Sequence, residues 1–241
     1  MELWAALQFL TRLPIPLRRE LSQATWARSM AWFPLVGLVV GLLLVGGRWA
    51  TGALWPQDLA AALTLALWVV LTGGLHLDGL VDCCDALWVA APPERRLEIL
   101  RDVHVGSYGL VGGALFLLLK WRAIVATPWP GLILAPILGR WAMVYVTWAF
   151  PYARPSGLGK MFQEFLGRRE MALASATALL AVALCGGWRG LGVALAGWLA
   201  AWALASWAQR RLGTGLTGDV YGLVCEMVEL VILLGWGVHI A

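Results

Sequence analysis

Between Thr72 and Leu87 the chain reads TGGLHLDGLVDCCDAL, with three carboxylates at Asp78, Asp82 and Asp85. On a helix, spacings of four and three residues bring all three within about 60° of one another. Carboxylates on one stripe repel each other, and a cation between them relieves the repulsion. Oxygen donors of this kind suit Mg²⁺ or Mn²⁺, and such a site serves phosphoryl-group transfer. The plainer alternative, a solvated acidic helix face, fits less well because Leu77, Leu80, Val81 and Leu87 surround the acids. His76 precedes them and could act as a general acid/base, as a substrate contact or as a satisfied interfacial polar group. Downstream, Arg101-Asp102-Val-His104-Val-Gly106-Ser107-Tyr108-Gly109 leads into an apolar run. A helix starting there could present free N–H groups to an anion, and Asp102 could add a fourth carboxylate.

Two further groups carry charge into apolar surroundings. Lys120, Arg122 and Arg140 fall within apolar runs, where cations are costly and usually face a polar cavity. Near a metal they would neutralise phosphate oxygens in a phosphoryl-transfer transition state; a snorkelling Lys120 is the simpler alternative. The glycine-rich stretch from Gly213 to Gly222 contains Asp219, and Glu226 follows seven residues later on the same helical face. Glu229 lies in the same apolar run, and carboxylates there need partners.

The elements that position these residues must cross a membrane. The chain has 241 residues, 61% hydrophobic and only 13% charged, with a mean hydropathy of +0.76. A soluble domain carries about 25% charged residues. Runs of roughly 20 apolar residues, enough for ~30 Å of hydrocarbon, occur at about 30–54, 58–77, 106–127, 130–150, 170–188, 190–208 and 219–240. The expectation is an all-α polytopic bundle of about seven spans. It forms one membrane domain over 1–241, with a cytoplasmic or interfacial segment at 1–29 and an acidic cytoplasmic loop at 78–105. Leu3, Trp4, Leu7 and Leu10 recur at helical spacing, so the first helix is expected to lie in the interface; Pro14 and Pro16 stop it. With the N-terminus inside and the C-terminus outside, the connections on the outer face carry only Arg48 and Arg189. The inner segments hold the remaining basic residues, among them Arg18 and Arg19, apart from the three within spans. This is the positive-inside pattern, and it turns the acidic stripe toward the cytoplasm.

Other classes find no support. Cys83, Cys84, Cys185 and Cys225 form no CxxC or Cys/His pattern, and no GxxxxGK[ST], GxSxG or HExxH is present. No Lys/Arg tract interleaved with aromatics suggests nucleic acid, and no cleavable signal is expected at the start.

The motifs taken together resemble the cobalamin synthase family, adenosylcobinamide-GDP ribazoletransferase. The resemblance lies in Phe9-Leu-Thr-Arg-Leu-Pro-Ile-Pro16, Phe33-Pro-Leu-Val-Gly37, and Gly73-Gly-Leu-His-Leu-Asp-Gly-Leu-Val-Asp82 with Asp85. It continues in Arg101-Asp102 through Gly109, Leu138-Gly-Arg-Trp141, and Gly218-Asp219 with Glu226. It implies a multi-pass enzyme of the bacterial inner membrane that uses Mg²⁺ to join adenosylcobinamide-GDP to α-ribazole or its 5′-phosphate, releasing GMP. It also implies a homo-oligomer or contacts with other enzymes of the corrinoid pathway. On this basis the expected metal ligands are Asp78, Asp82, Asp85 and Asp102, and the expected catalytic residues are His76, Asp82 and Arg140. Arg101, His104, Lys120, Arg122, Asp219 and Glu226 are expected to bind substrate. The alternatives are a CDP-alcohol phosphotransferase, whose Ala-Arg after Asp-Gly is not matched here, and a secondary transporter using Arg140, Glu226 and Glu229.

Overall fold

The computed structural model describes residues 1–15 and 21–238. Pro16, Arg18, Arg19 and the far end of the last expected span lie outside them. The described residues form twelve α-helices and no β-strand. They are α1 (Glu2–Leu10), α2 (Gln23–Arg28), α3 (Phe33–Gly52), α4 (Gln57–Thr72), α5 (Leu75–Trp88), α6 (Pro93–Ile99), α7 (Ser107–Ala126), α8 (Trp129–Ala149), α9 (Leu158–Phe165), α10 (Arg168–Cys185), α11 (Gly187–Leu212) and α12 (Gly218–Gly237). A 3₁₀ turn, Ser29–Trp32, joins α2 to α3.

Five segments are long and apolar enough to cross a bilayer: Gln23–Gly52, α7, α8, α11 and α12. They make this a multi-pass membrane protein. By length and composition the described residues give five crossings, or six, against the seven expected. Helix α4 has 16 residues, about 24 Å of rise, and reaches a sixth crossing only together with α5, from which it is bent by 94°. Helix α10 carries Arg168, Arg169 and Glu170 in its first turn. Helices α8 and α12 are the centre of the bundle, with 78% and 72% of their apolar windows buried; α11 buries 22%. The outward faces of α10 and α11 present Leu179, Leu180, Leu184, Leu195 and Trp202, as hydrocarbon requires.

Two local features set the geometry of the site. Gly73 and Gly74 take φ of 64° and 71° in succession, a left-handed pair that residues with a Cβ rarely adopt. They end α4 and swing α5 across the neighbouring helices. The segment expected as an acidic loop is therefore mostly helical, as α5, a short turn and α6. Helix α1 is docked on the protein as well as amphipathic. It buries Ala5, Ala6, Leu7 and Leu10, and Trp32 Nε1 donates to Glu2 at 3.2 Å.

Candidate active site

Helix α5 meets the start of α12 almost backbone to backbone. A Cβ on Gly79 would lie 2.7 Å from the carbonyl oxygen of Asp219, and one on Gly222 would lie 2.9 Å from that of His76. These two glycines allow Asp78 and Asp82 of α5 to share one space with Asp219 of α12. The Asp82 carboxyl is pushed up to about 6, first by burial and then by Asp78, Asp219 and Asp85, against the pull of Arg154. Among the described residues, Arg154 is the one cation that acts on Asp82, against three neighbouring carboxylates.

A cavity of about 350 Å³ opens beside it. Asp78, His76, Asp219, Arg154, Tyr152 and Tyr221 line one side, and Phe9, Met30, Phe33, Leu75, Met143 and Phe162 line the other. The Arg154 loop is clamped to the α11–α12 connection. Ala153 N donates to Leu216 O and Leu216 N to Pro151 O, both at 2.8 Å. Gln163 Nε2 donates to Phe150 O at 2.7 Å, and its Oε1 accepts from Tyr152 N at 3.2 Å. So held, Arg154 Nη2 reaches Asp219 at 3.2 Å and Leu100 O at 3.1 Å. Around the cavity, both ring nitrogens of His76 and Arg154 Nε are buried without a protein partner among the described residues. Such groups are expensive to leave unsatisfied, and a polar ligand would satisfy them.

The expected site residues divide. His76, Asp78 and Asp219 line the cavity, and Asp82 stands one turn along α5. Asp85 does not join them as a free carboxylate. Its Oδ2 accepts from Gly106 N and its Oδ1 from Gly109 N, each at 2.8 Å, so it caps the N-terminus of α7. Asp102 lies on the exposed loop, accepting from His104 N at 3.0 Å and pairing with His104 Nδ1 at 2.7 Å. Those hydrogen bonds hold its carboxyl below the usual range. Arg101 and His104 are exposed on the same loop, apart from the cavity lining.

The buried cations are corrected too. Lys120 Nζ donates to Glu226 at 2.6 Å and to Glu229 at 2.5 Å, and it sits 4.0 Å from the Trp68 ring centroid. Arg140 Nη1 pairs with Glu229. Lys120, Arg140, Glu226 and Glu229 thus pair with one another inside the bundle, although Arg140 Nε and Nη2 are buried without a hydrogen-bond partner among the described residues, and none of the four lines the cavity. Arg122 sits near the other end of α7, 2.8 Å from Asp58 and 61% exposed. It lies apart from the cavity lining, near the end of its apolar run rather than within it.

Arg154, Tyr152 and Tyr221 were not among the expected site residues. The available signal was the run Tyr152-Ala-Arg154-Pro-Ser-Gly-Leu-Gly159, a basic, glycine-rich connection on the same side as the acids.

Among the described residues, no three His, Cys, Asp or Glu side chains are placed to hold a metal ion together. The donor set nevertheless fits one class of cation. Mg²⁺ is commonly held by one or two carboxylates, with substrate phosphates and waters completing its shell. Asp78 and Asp82 supply two such carboxylates with excess negative charge. Cys83 is buried, and neither it nor Cys84 lines the cavity.

The model of the family described as cobalamin-5-phosphate synthase matches residues 2–237. Several relatives carry the name adenosylcobinamide-GDP ribazoletransferase. One from Deinococcus radiodurans is 44% identical, covering 96% of this chain and 84% of its own length. One from Roseiflexus sp. is 41% identical, at 95% and 86%, and one from Pseudomonas savastanoi is 41% identical, at 96% of both. No solved structure matches. A match over nearly the whole chain, on a membrane bundle with one acidic, ligand-ready cavity, places this protein in the cobalamin-5-phosphate synthase family of transferases.

Proposed function

We propose that the chain joins adenosylcobinamide-GDP to α-ribazole or its 5′-phosphate and releases GMP, with Mg²⁺ as its cofactor. The observation that carries this reading is the cavity in which Asp78, Asp219 and Arg154 meet His76, beside the raised carboxyl of Asp82. Asp78 and Asp82 would hold the ion together with the diphosphate. When bound, the ion withdraws charge from the phosphoryl oxygens. Arg154, rather than Arg140 or Lys120, faces the diphosphate. Its guanidinium already rests against Asp219 and can exchange part of that pairing for phosphate oxygens. His76, free at both ring nitrogens, takes the proton of the attacking ribose hydroxyl. That oxygen bonds to the phosphorus nearer the corrinoid, the bond to the bridging oxygen breaks, and GMP leaves.

The distribution of Lys and Arg supports a site facing the cytoplasm of a bacterial inner membrane, where soluble nucleotides arrive. The test is direct. Protein purified in detergent, given both substrates and Mg²⁺, should form the corrinoid product, and EDTA should abolish it. No product, or product undiminished by EDTA, refutes the reading.

A further inference from the structure

The cavity has two unlike walls. Phosphoryl transfer uses the polar one, formed by α5, the start of α12 and the Arg154 loop. The other is built by three separate segments that each contribute a phenylalanine: Phe9 from α1, Phe33 from α3 and Phe162 from α9. The rings of Phe9 and Phe33 stack with centroids 6.0 Å apart, and Phe9 meets Phe162 edge-on at 5.4 Å. Phe33 and Phe162 are edge-on at 6.3 Å. Met30, Leu75 and Met143 extend the same wall. Among the described residues, the cavity-lining side chains of α1, the 3₁₀ turn, α3 and α9 carry no charge and no hydrogen-bonding group, and Ser156 lines the cavity just before α9.

Size adds a second constraint. About 350 Å³ is at the small end for a drug-sized ligand. It accommodates a single nucleoside, whereas a corrin macrocycle with its nucleotide arm must remain largely outside. A nucleoside placed with its ribose toward His76 and Asp78 has its base directed at the phenylalanines.

We propose that Phe9 and Phe162, backed by the fully buried Phe33, seat the planar base of the incoming nucleoside and select for an apolar one. The proposal rests on reading the cavity as the phosphoryl-transfer site. A base presenting only carbon and a single ring acceptor loses nothing against such a wall. A purine base would bury an amino group and ring nitrogens without partners, and selection against unpaired polar groups is the stronger form of discrimination.

The experiment is a two-substrate kinetic analysis of wild type, Phe9→Ala, Phe162→Leu and Phe162→Tyr. Truncation should raise KM for α-ribazole by about tenfold to a hundredfold, the effect of removing one aromatic partner from a base. KM for adenosylcobinamide-GDP should stay at the wild-type value, which also shows that each variant is folded. Phe162→Tyr should lower the preference for α-ribazole over a purine α-riboside. If the wild type makes product but the two KM values rise together, or neither moves, the wall assignment is wrong and the transfer reading stands. If the wild type makes no product, the transfer reading falls and this assignment with it. Equilibrium dialysis of α-ribazole alone gives an activity-independent check, with weaker binding expected for Phe9→Ala and unchanged binding counting against the proposal.

Discussion

Two charged clusters lie close together in this bundle and differ in how their charge is answered. Lys120, Arg140, Glu226 and Glu229 are two cations and two anions, all inside the helices and joined by short hydrogen bonds. Among the described residues, Asp78, Asp82 and Asp219 have one nearby cation, Arg154, and they border an open cavity with unpartnered donors. The first cluster balances its charge from its own members, although Arg140 Nε and Nη2 lack a hydrogen-bond partner among the described residues. The second does not balance its charge. An ionisable group at membrane depth is often read as functional, and here the balance of charge is the better guide. The network holds α7, α8 and α12 together, and the cavity beside it is left to bind.

The comparison can be broken by substitution. Glu229→Ala should have the largest effect, because it strips Arg140 of its carboxylate and leaves Lys120 with only one. Losing one partner of a buried ion pair costs about 3–5 kcal/mol, readable as a steep fall in Tm in detergent. A variant that kept its Tm but lost turnover would put the network in the chemistry instead.

A pH series sharpens the same contrast from the cavity side. Burial and the neighbouring carboxylates push the Asp82 carboxyl up to about 6, and a cation binds only its ionised form. The sign follows: Mg²⁺ affinity should hold above pH 7 and fall by about tenfold per unit below 6. Calorimetry at pH 7 and pH 5 measures it, and equal affinities would remove Asp82 from the donor set. Asp85→Ala should lower stability by only about 1 kcal/mol, the usual effect of losing a helix cap, with Mg²⁺ affinity nearly unchanged. A collapse of Mg²⁺ affinity in this variant would return Asp85 to the metal site. Arg122→Ala, at an exposed pair with Asp58, should leave both Tm and turnover at wild-type values.

Much of the fold was legible because hydrophobic length and periodicity are local properties. Every expected apolar run contains a long helix, and the stripe at Asp78 and Asp82 does fall on one. What was not legible depends on contacts between distant residues. Asp85 has the same residue type and spacing as its neighbours, yet the amides of Gly106 and Gly109 occupy it, more than twenty residues away. Arg154 acquires its meaning from Asp219, 65 residues on, through a clamp that no local pattern announces. Glu226 and Glu229 were seen to need partners and Lys120 and Arg140 to face a polar cavity, but a single sequence does not distinguish a glutamate on α12 from a phosphate. The double-glycine turn was visible as composition, and its 94° consequence was not.

The central claim is that the unbalanced acidic cavity, and not the buried ion network, carries out phosphoryl transfer. Turnover of Asp82→Asn tests it most directly, measured on protein whose Tm matches the wild type. The substitution keeps the shape of the side chain and removes its charge. The account predicts a loss of at least about a hundredfold in kcat, a typical effect of removing a group that acts at the reacting centre. A folded Asp82→Asn protein that forms product at the wild-type rate would contradict it.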